Sequence, residues 1–437
     1  MSKSGGARID EPDRAQARLE VVALDLLLTE DHRARVVWAF VKQLDLEELY
    51  AAIKARGEVA GRPACDPALL LALWLYATLE NVGSARLLAR LCESDIGYRW
   101  LCGGVGVNYH SLADFRVGHG ELLDRWLTQT VAALSAAGMI SLEEVAVDGT
   151  KLQASAGRGS FRGEEGLAGY ERAAAARIAR LKAEIEADPG VNERRRRAAV
   201  ARAAREVGER AAKARASLEK LKAEREARAK THPEEEAKKS EPKASTSDPQ
   251  ARVMRFADGG TRPAYNLQLA CVPQSDVIVE VMASDRRNDS GLALPMVERM
   301  AERFGAAPQR VLVDTKYATH EDIIALGERE AGSVEVYTPP SPERADAKDE
   351  SRRRRKRRLQ QEPLVLQAWR ARMASEQGKT TMGRRRHIET VNGNLKNRGL
   401  GRLNVRGLMK VQCVALLHAL AHNLWRAHVL RQAALAT

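Results

Sequence analysis

The sequence predicts a mixed α+β protein: an all-helical N-terminal part, then a mixed sheet flanked by helices, with a helical hairpin inserted into the sheet-bearing part. Three observations predict it. From Val21 to Ile140 apolar residues recur at i, i+3, i+4 and i+7, the helical period. After Gly138 the period drops to two in LEEVAVDGT, and alternating runs return in AYNLQLACV, DVIVEVMAS, RVLVDT and SVEVYTP. Between these, residues 170–243 carry 21 basic and 14 acidic residues among much Ala and Leu, a pattern suited to a solvated helical pair.

Residues 1–20 are polar and lack an apolar core, so they read as a tail and not as a secretory signal or anchor. Residues 21–140 form the helical N-terminal domain, expected to bind DNA. In DPALLLALWLYATLE, Asp66 can cap the helix that Pro67 opens. The stretch SARLLARLCESDIGYRWLCGGVGVNYHSLADFRVGH reads as helix, break, short helix, Gly-rich turn, helix. That order is similar to a helix-turn-helix, and makes the helix near His110–Gly120 a candidate DNA reader, with plain packing as the competing reading.

Residues 141–165 and 246–430 are expected to build the sheet-bearing domain, and 166–245 the insertion. Within the insertion, Ile178, Leu181 and Ile185, then Leu218 and Leu221, keep helical spacing on either side of Pro189-Gly190, so an antiparallel hairpin is expected. The segment HPEEEAKKSEPKASTSDPQ is a polar linker back. AYNLQLACV and DVIVEVMAS are two strands joined by PQS. The helix SGLALPMVERMAERFG, the strand ending at Asp314, the helix EDIIALGERE and the strand SVEVYTP continue as β/α alternation. The last 50 residues are helical, and VQCVALLHALAHNLWRAHVL is too polar to span a membrane.

The 437 residues carry a net charge of +13, and its distribution is uneven. Between Ser351 and Lys410 stand 18 Lys and Arg against 3 acids, an excess larger than that of the whole chain. A local field of that size suits a polyanion, with nucleic acid first in line. Aromatic residues are only 4%, which favours phosphate contact over base stacking. Arg352, Arg353, Arg354 and Arg355, inside the run RRRRKRR, are the expected phosphate contacts. The five cysteines are scattered and form no CxxC pair, which supports neither a zinc ribbon nor a disulfide framework, so they read as reduced thiols.

Asp148 and Asp314 each close a predicted strand, and Glu389 lies on the predicted helix RRRHIETVNGNLKNRG. Three carboxylates brought together in this way offer hard oxygen ligands for two Mg²⁺ or Mn²⁺ ions, the arrangement that serves phosphodiester displacement. His387, two residues from Glu389, faces elsewhere. His418 and His422 stand at zinc-binding spacing but in an apolar helix without a third ligand, and read as packing. Asp258, Asp285 and Asp289 read as turn or capping residues.

The motifs GRPACDPALLLALWLYATLENVGSARLLARLCESDIGYRWLCGG, VNYHSLADFR, VAVDGTKLQASAG, RPAYNLQLACV, NDSGLALPMVERM, VLVDTKYAT and RRRHIETVNGNLKNRGLGRLNVRGLMKV follow one another over about residues 20–430. With them the chain resembles bacterial insertion-sequence transposases of the DDE type, with a DUF772-type helical N-terminal domain and a ribonuclease-H-like catalytic domain. The resemblance implies that Asp148, Asp314 and Glu389 are the catalytic, metal-binding triad. It implies that Arg385 and Lys396, at −4 and +7 from Glu389, contact DNA. It further implies double-stranded DNA, both element ends and target, as partner, a homodimer or higher assembly on that DNA, and a cytoplasmic, nucleoid-associated setting with no membrane. The expected activity is cleavage at element ends with two divalent ions, then joining of the 3′-hydroxyl to target DNA. The competing function is a repurposed, catalytically inactive DNA-binding protein; survival of all three carboxylates favours the enzyme. Two positions depart from the family pattern. Met382 stands where a tyrosine is usual, and Lys316 stands where the Asp-x-Gly-Tyr turn after the second aspartate has glycine.

Overall fold

A computed structural model describes residues 23–55, 63–187, 193–231, 233–237, 240–340, 359 and 361–435. The predicted tail at 1–20, the hairpin turn at Pro189-Gly190 and the run containing Arg352, Arg353, Arg354 and Arg355 lie outside the described residues.

Seven helices come first: α1 (Arg33–Val41), α2 (Glu47–Ala51), α3 (Pro67–Leu79), α4 (Ala85–Ser94), α5 (Ile96–Cys102), α6 (Tyr109–Gly118) and α7 (Gly120–Ala136). Asp66 caps α3 by accepting from the Ala68 N–H at 2.9 Å, and all thirteen residues of α3 are buried, so it is the axis of this layer. Gly103, at φ +54°, ends α5 in the left-handed region. The candidate DNA-reading helix is α6; its Leu112 and Phe115 are buried against the core, and Trp74 donates to the Leu112 carbonyl at 2.8 Å.

The sheet then builds from β1 (Glu144–Gln153), β4 (Arg252–Arg255), β5 (Thr261–Val272), β6 (Val277–Ser284), β7 (Arg310–Leu312) and β8 (Glu335–Tyr337), with β2 (Phe161–Arg162) and β3 (Ala244–Ser245) as a separate small pair. β5 lies antiparallel to β1 on one side, and to both β4 and β6 on the other. β1, β7 and β8 are parallel. This mixed sheet with flanking helices is a ribonuclease-H-like arrangement behind a helical N-terminal layer, the class the sequence predicts.

Two helices form the insertion, α8 (Glu164–Ala187) and α9 (Glu193–Thr231), followed by the short α10 (Pro233–Ala237). Leu167, Ala214, Leu218 and Ala244 make a small core of their own, apart from the main one, as a sparse apolar stripe demands. On the sheet lie α11 (Ala293–Phe304) and α12 (His320–Gly327), then α13 (Leu364–Ala374), α14 (Glu376–Gly383), α15 (Arg386–Asn397) and α16 (Leu408–Leu435). α16 packs on β6 with one side and on α3, α6 and α7 with the other, joining helical layer to sheet. A buried ion network does the same: Glu280 of β6, fully buried, takes Arg299 at 2.9 Å and Arg303 at 2.8 Å, and Arg303 reaches Asp124 of α7 at 2.5 Å.

Candidate active site

Strand register brings the two aspartates side by side. Ala146 of β1 pairs in parallel with Leu312 of β7, and Asp148 and Asp314 each stand two residues further on. A period of two then sends both side chains to the same face. The strand expected to close at Asp148 runs on to Gln153, because residues 149–153 stay paired with β5. Asp148 therefore stands mid-strand, while Asp314 follows the end of the short β7. Helix α15 lies against β1 and β5. Its apolar residues Ile388, Val391 and Leu395 are buried, which aligns Arg385, Glu389, Asn392 and Lys396 along an adjoining stripe.

Arg385 is the hub. Its Nη1 donates to Glu389 Oε1 at 3.0 Å, while Nη2 lies 3.4 Å from Asp148 Oδ1 and 3.9 Å from Asp314 Oδ2. Three carboxylates from three elements thus share one guanidinium, and the two aspartate oxygens lie at most about 7 Å apart. Asp314 and Glu389 stay open to solvent at 62% and 64% exposure, whereas Arg385 is 13% exposed and turned inward. Asn392 donates to Asp148 Oδ2 at 3.0 Å, and its own buried Oδ1 has no hydrogen-bond partner among the described residues. Burial pushes the Asp148 carboxyl above the usual carboxylate range; Arg385 and the Gly149 N–H act against this, while Asp289 and then Asp314 add to it. Lys396 is exposed and makes no ion pair among the described residues.

Asp289, read in the sequence as a turn or capping residue, does accept from the Leu292 N–H at 3.3 Å through its carbonyl, but its side chain has a further role. Its Oδ1 accepts from Asn266 at 2.6 Å and Gln268 at 2.8 Å, and it packs directly over Gly149, next to Asp148. Gln268 in turn accepts from the Tyr317 hydroxyl at 2.6 Å, so the turn carrying Asp314 is tied to the same network. Asp285 pairs with Arg252 at 2.8 Å; Asp258 accepts from the Gly260 N–H at 3.0 Å, a turn role as read. Asn392 escaped the sequence reading although its place three residues after Glu389 marks it.

The turn after the second aspartate explains the family's glycine. Tyr317 N–H returns to the Asp314 carbonyl at 3.1 Å, and Lys316 has φ +70°. A positive φ at the third of four residues is the type II pattern, which glycine adopts freely and lysine does not. Met382, the other departure, packs half-buried on the main core. His387 bonds Asp276 at 2.9 Å, away from the carboxylates. His418 meets the carbonyls of Val414 and Arg398, and His422 that of Asp276, so both are packing residues.

Among the described residues no three carboxylate, His or Cys side chains stand close enough to form a closed metal site. The donor chemistry nevertheless fits a hard divalent cation: three carboxylates already gather round one positive charge, and two of them are open to solvent.

Two family models match the chain. One, the transposase domain DUF772, covers residues 22–117; the other, the transposase DDE domain, covers residues 229–424. Together they span about two thirds of the sequence, and the chain belongs to the insertion-sequence transposases of the DDE type with a DUF772 N-terminal part. Asp314 and Glu389 fall inside the DDE match, while Asp148 lies between the two. No curated protein and no solved structure gives a significant match. No helix among the described residues is long and apolar enough to cross a membrane.

Proposed function

We propose that the chain cleaves DNA at the ends of an insertion element and joins the freed 3′-hydroxyl to target DNA, with Asp148, Asp314 and Glu389 as the ligands of two Mg²⁺ or Mn²⁺ ions. The observation that carries this reading is the convergence of those three carboxylates on Arg385 from β1, the β7 turn and α15. When bound, the ions would supply Lewis acidity for an in-line phosphodiester displacement.

The remaining roles belong to the chain's own groups. Arg385 offsets the mutual repulsion of the carboxylates and keeps them together before substrate arrives. Asn392 fixes one oxygen of Asp148, which leaves the other directed at the cluster. Asp289, held by Asn266 and Gln268, sets the backbone at Gly149 and is a positioning residue. Lys396, exposed two helical turns beyond Glu389, suits a DNA phosphate. Element ends would be read by the N-terminal helices, α6 first among them, and phosphate grip supplied by the basic segment with Arg352 to Arg355. A domain division at 21–140, at 141–165 with 246–430, and at 166–245, assembly on DNA as a homodimer or higher, and a nucleoid setting complete the proposal.

Incubating purified protein with Mg²⁺ and DNA carrying the element's ends tests it. Nicking at the element boundary that chelation abolishes is expected. A protein that binds the ends yet never nicks them overturns the catalytic reading and leaves a DNA-binding protein.

A further inference from the structure

A cavity of about 1180 Å³ separates the insertion from the sheet. Its walls are the end of α9, residues 240–243, the start of β4, and the loop 285–290. Seven cations and four acids line it. Most of the acids have partners: Asp285 pairs with Arg252, Glu241 with Arg225 at 3.1 Å, and Glu224 with Lys220 at 3.9 Å. Arg158, Arg228, Lys243, Arg286 and Arg287 have no ion pair among the described residues. Withdrawal from water and then the nearby charges of Arg252 and Arg228 pull Arg287 below the ordinary guanidinium range. Unpaired arginines crowded in one concavity are the electrostatic form of an anion site.

The loop 285–290 joins this cavity to the carboxylates. Asn288 and Ser290 line the cavity, while Asp289 between them turns to the other side and packs over Gly149 beside Asp148. A polyanion held at Arg286 and Arg287 therefore lies one loop away from the proposed reacting centre. A duplex keeps its base faces stacked inside, whereas Phe161 on the cavity wall offers an aromatic face on which an unpaired base can stack beside the arginines, so the cavity suits a single strand.

We infer that the cavity between the insertion and the sheet binds single-stranded DNA flanking the scissile phosphate, its phosphates held by Arg158, Arg228, Lys243, Arg286 and Arg287. The inference rests on the DNA-cleaving reading above and gives the insertion its role: it closes one wall of a channel for the strand that has left the duplex.

The test measures fluorescence anisotropy of a labelled short oligothymidylate and of a labelled duplex element end, each against salt, for the full-length protein and the double variant Arg286→Ala/Arg287→Ala. Each lost phosphate contact lowers a single-strand salt slope by about 0.7, so two should lower it by about 1.4 and weaken oligothymidylate binding about 25-fold at 0.1 M salt. Duplex affinity should hold. Arg228→Ala, on the opposite wall, gives a second arm with about a five-fold loss. Unchanged oligothymidylate affinity, or an equal loss on duplex, overturns the inference. Mg²⁺-dependent nicking by the unaltered protein is scored separately: its absence, with arginine-dependent strand binding intact, defeats the catalytic reading and leaves the channel standing.

Discussion

Gly149→Ala probes the join between strand β1 and the carboxylate cluster. A Cβ built on Gly149 falls 2.6 Å from Asp289 Cγ and 2.9 Å from Gln268 Nε2, both closer than the 3.0 Å that real Cβ atoms keep, and nearer still to Asp289 Oδ1. Something must move, and Asp289 is the group in the way. Its Oδ1 accepts at 2.6 Å from Asn266 and 2.8 Å from Gln268, and a shift of about 1 Å takes both bonds past useful length. Hydrogen bonds to a charged acceptor contribute about 1.5–3 kcal/mol each, and Asn266 is fully buried, so its amide finds no water instead. The expected loss is about 3 kcal/mol of stability, with a fall in nicking because Asp148 is the next residue. Urea unfolding and single-turnover nicking of Gly149→Ala, Asp289→Ala and the double variant give a double-mutant cycle. With Asp289 shortened to alanine the clash is relieved, so Gly149→Ala should lose much less in that background. Equal losses with and without Asp289 would refute the reasoning, as would a single variant with unaltered stability and nicking.

Three further outcomes are expected. At position 316, where φ is +70°, glycine should be more stable than alanine by about 1 kcal/mol, the reverse of the order at an ordinary turn position; urea unfolding of Lys316→Gly and Lys316→Ala decides the sign. His422 is held down to about 4 by burial, from an ordinary value of 6.5, so the fold prefers the neutral ring; stability should be full above pH 6.5, fall as pH drops toward 4 and level off below, a loss of about 3 kcal/mol in all. Unfolding across that window should be flatter for His422→Gln, with a residual slope from His418, which burial also holds down; an unchanged slope would contradict this. Replacing Arg352, Arg353, Arg354 and Arg355 by alanine should weaken duplex binding alike on all sequences and flatten the salt slope by roughly 3–4; an unaltered slope would leave that run without a DNA role.

Much of the site was legible because it depends on short-range periodicity. Alternation in VAVDGT and VLVDTK places Asp148 on a strand and Asp314 just after one, and one parallel register then makes them neighbours. That β1 continues past Asp148 to Gln153 was not legible, because it depends on pairing with β5 more than a hundred residues away. Helical spacing of Ile388, Val391 and Leu395 fixes which way Glu389 points. Arg385 was legible as a neighbour of Glu389, but its inward turn was not: that depends on two aspartates delivered by strands more than seventy and two hundred residues away. Asp289 was read as a turn or capping residue, and only the packing of the 285–290 loop over Gly149 reveals its other contacts. The channel beside the insertion was illegible for the same reason, since Arg158, Arg228 and Arg287 come together only in the folded chain.

The most direct measurement of the central claim is strand cleavage set beside binding for Asp148→Asn and Glu389→Gln, in Mg²⁺ with DNA carrying the element's ends. Each change removes one anionic ligand while leaving the basic surfaces untouched. The account expects nicking to vanish in both variants with affinity for the ends largely kept. Nicking retained in either one would contradict the assignment of these carboxylates as the catalytic ligands.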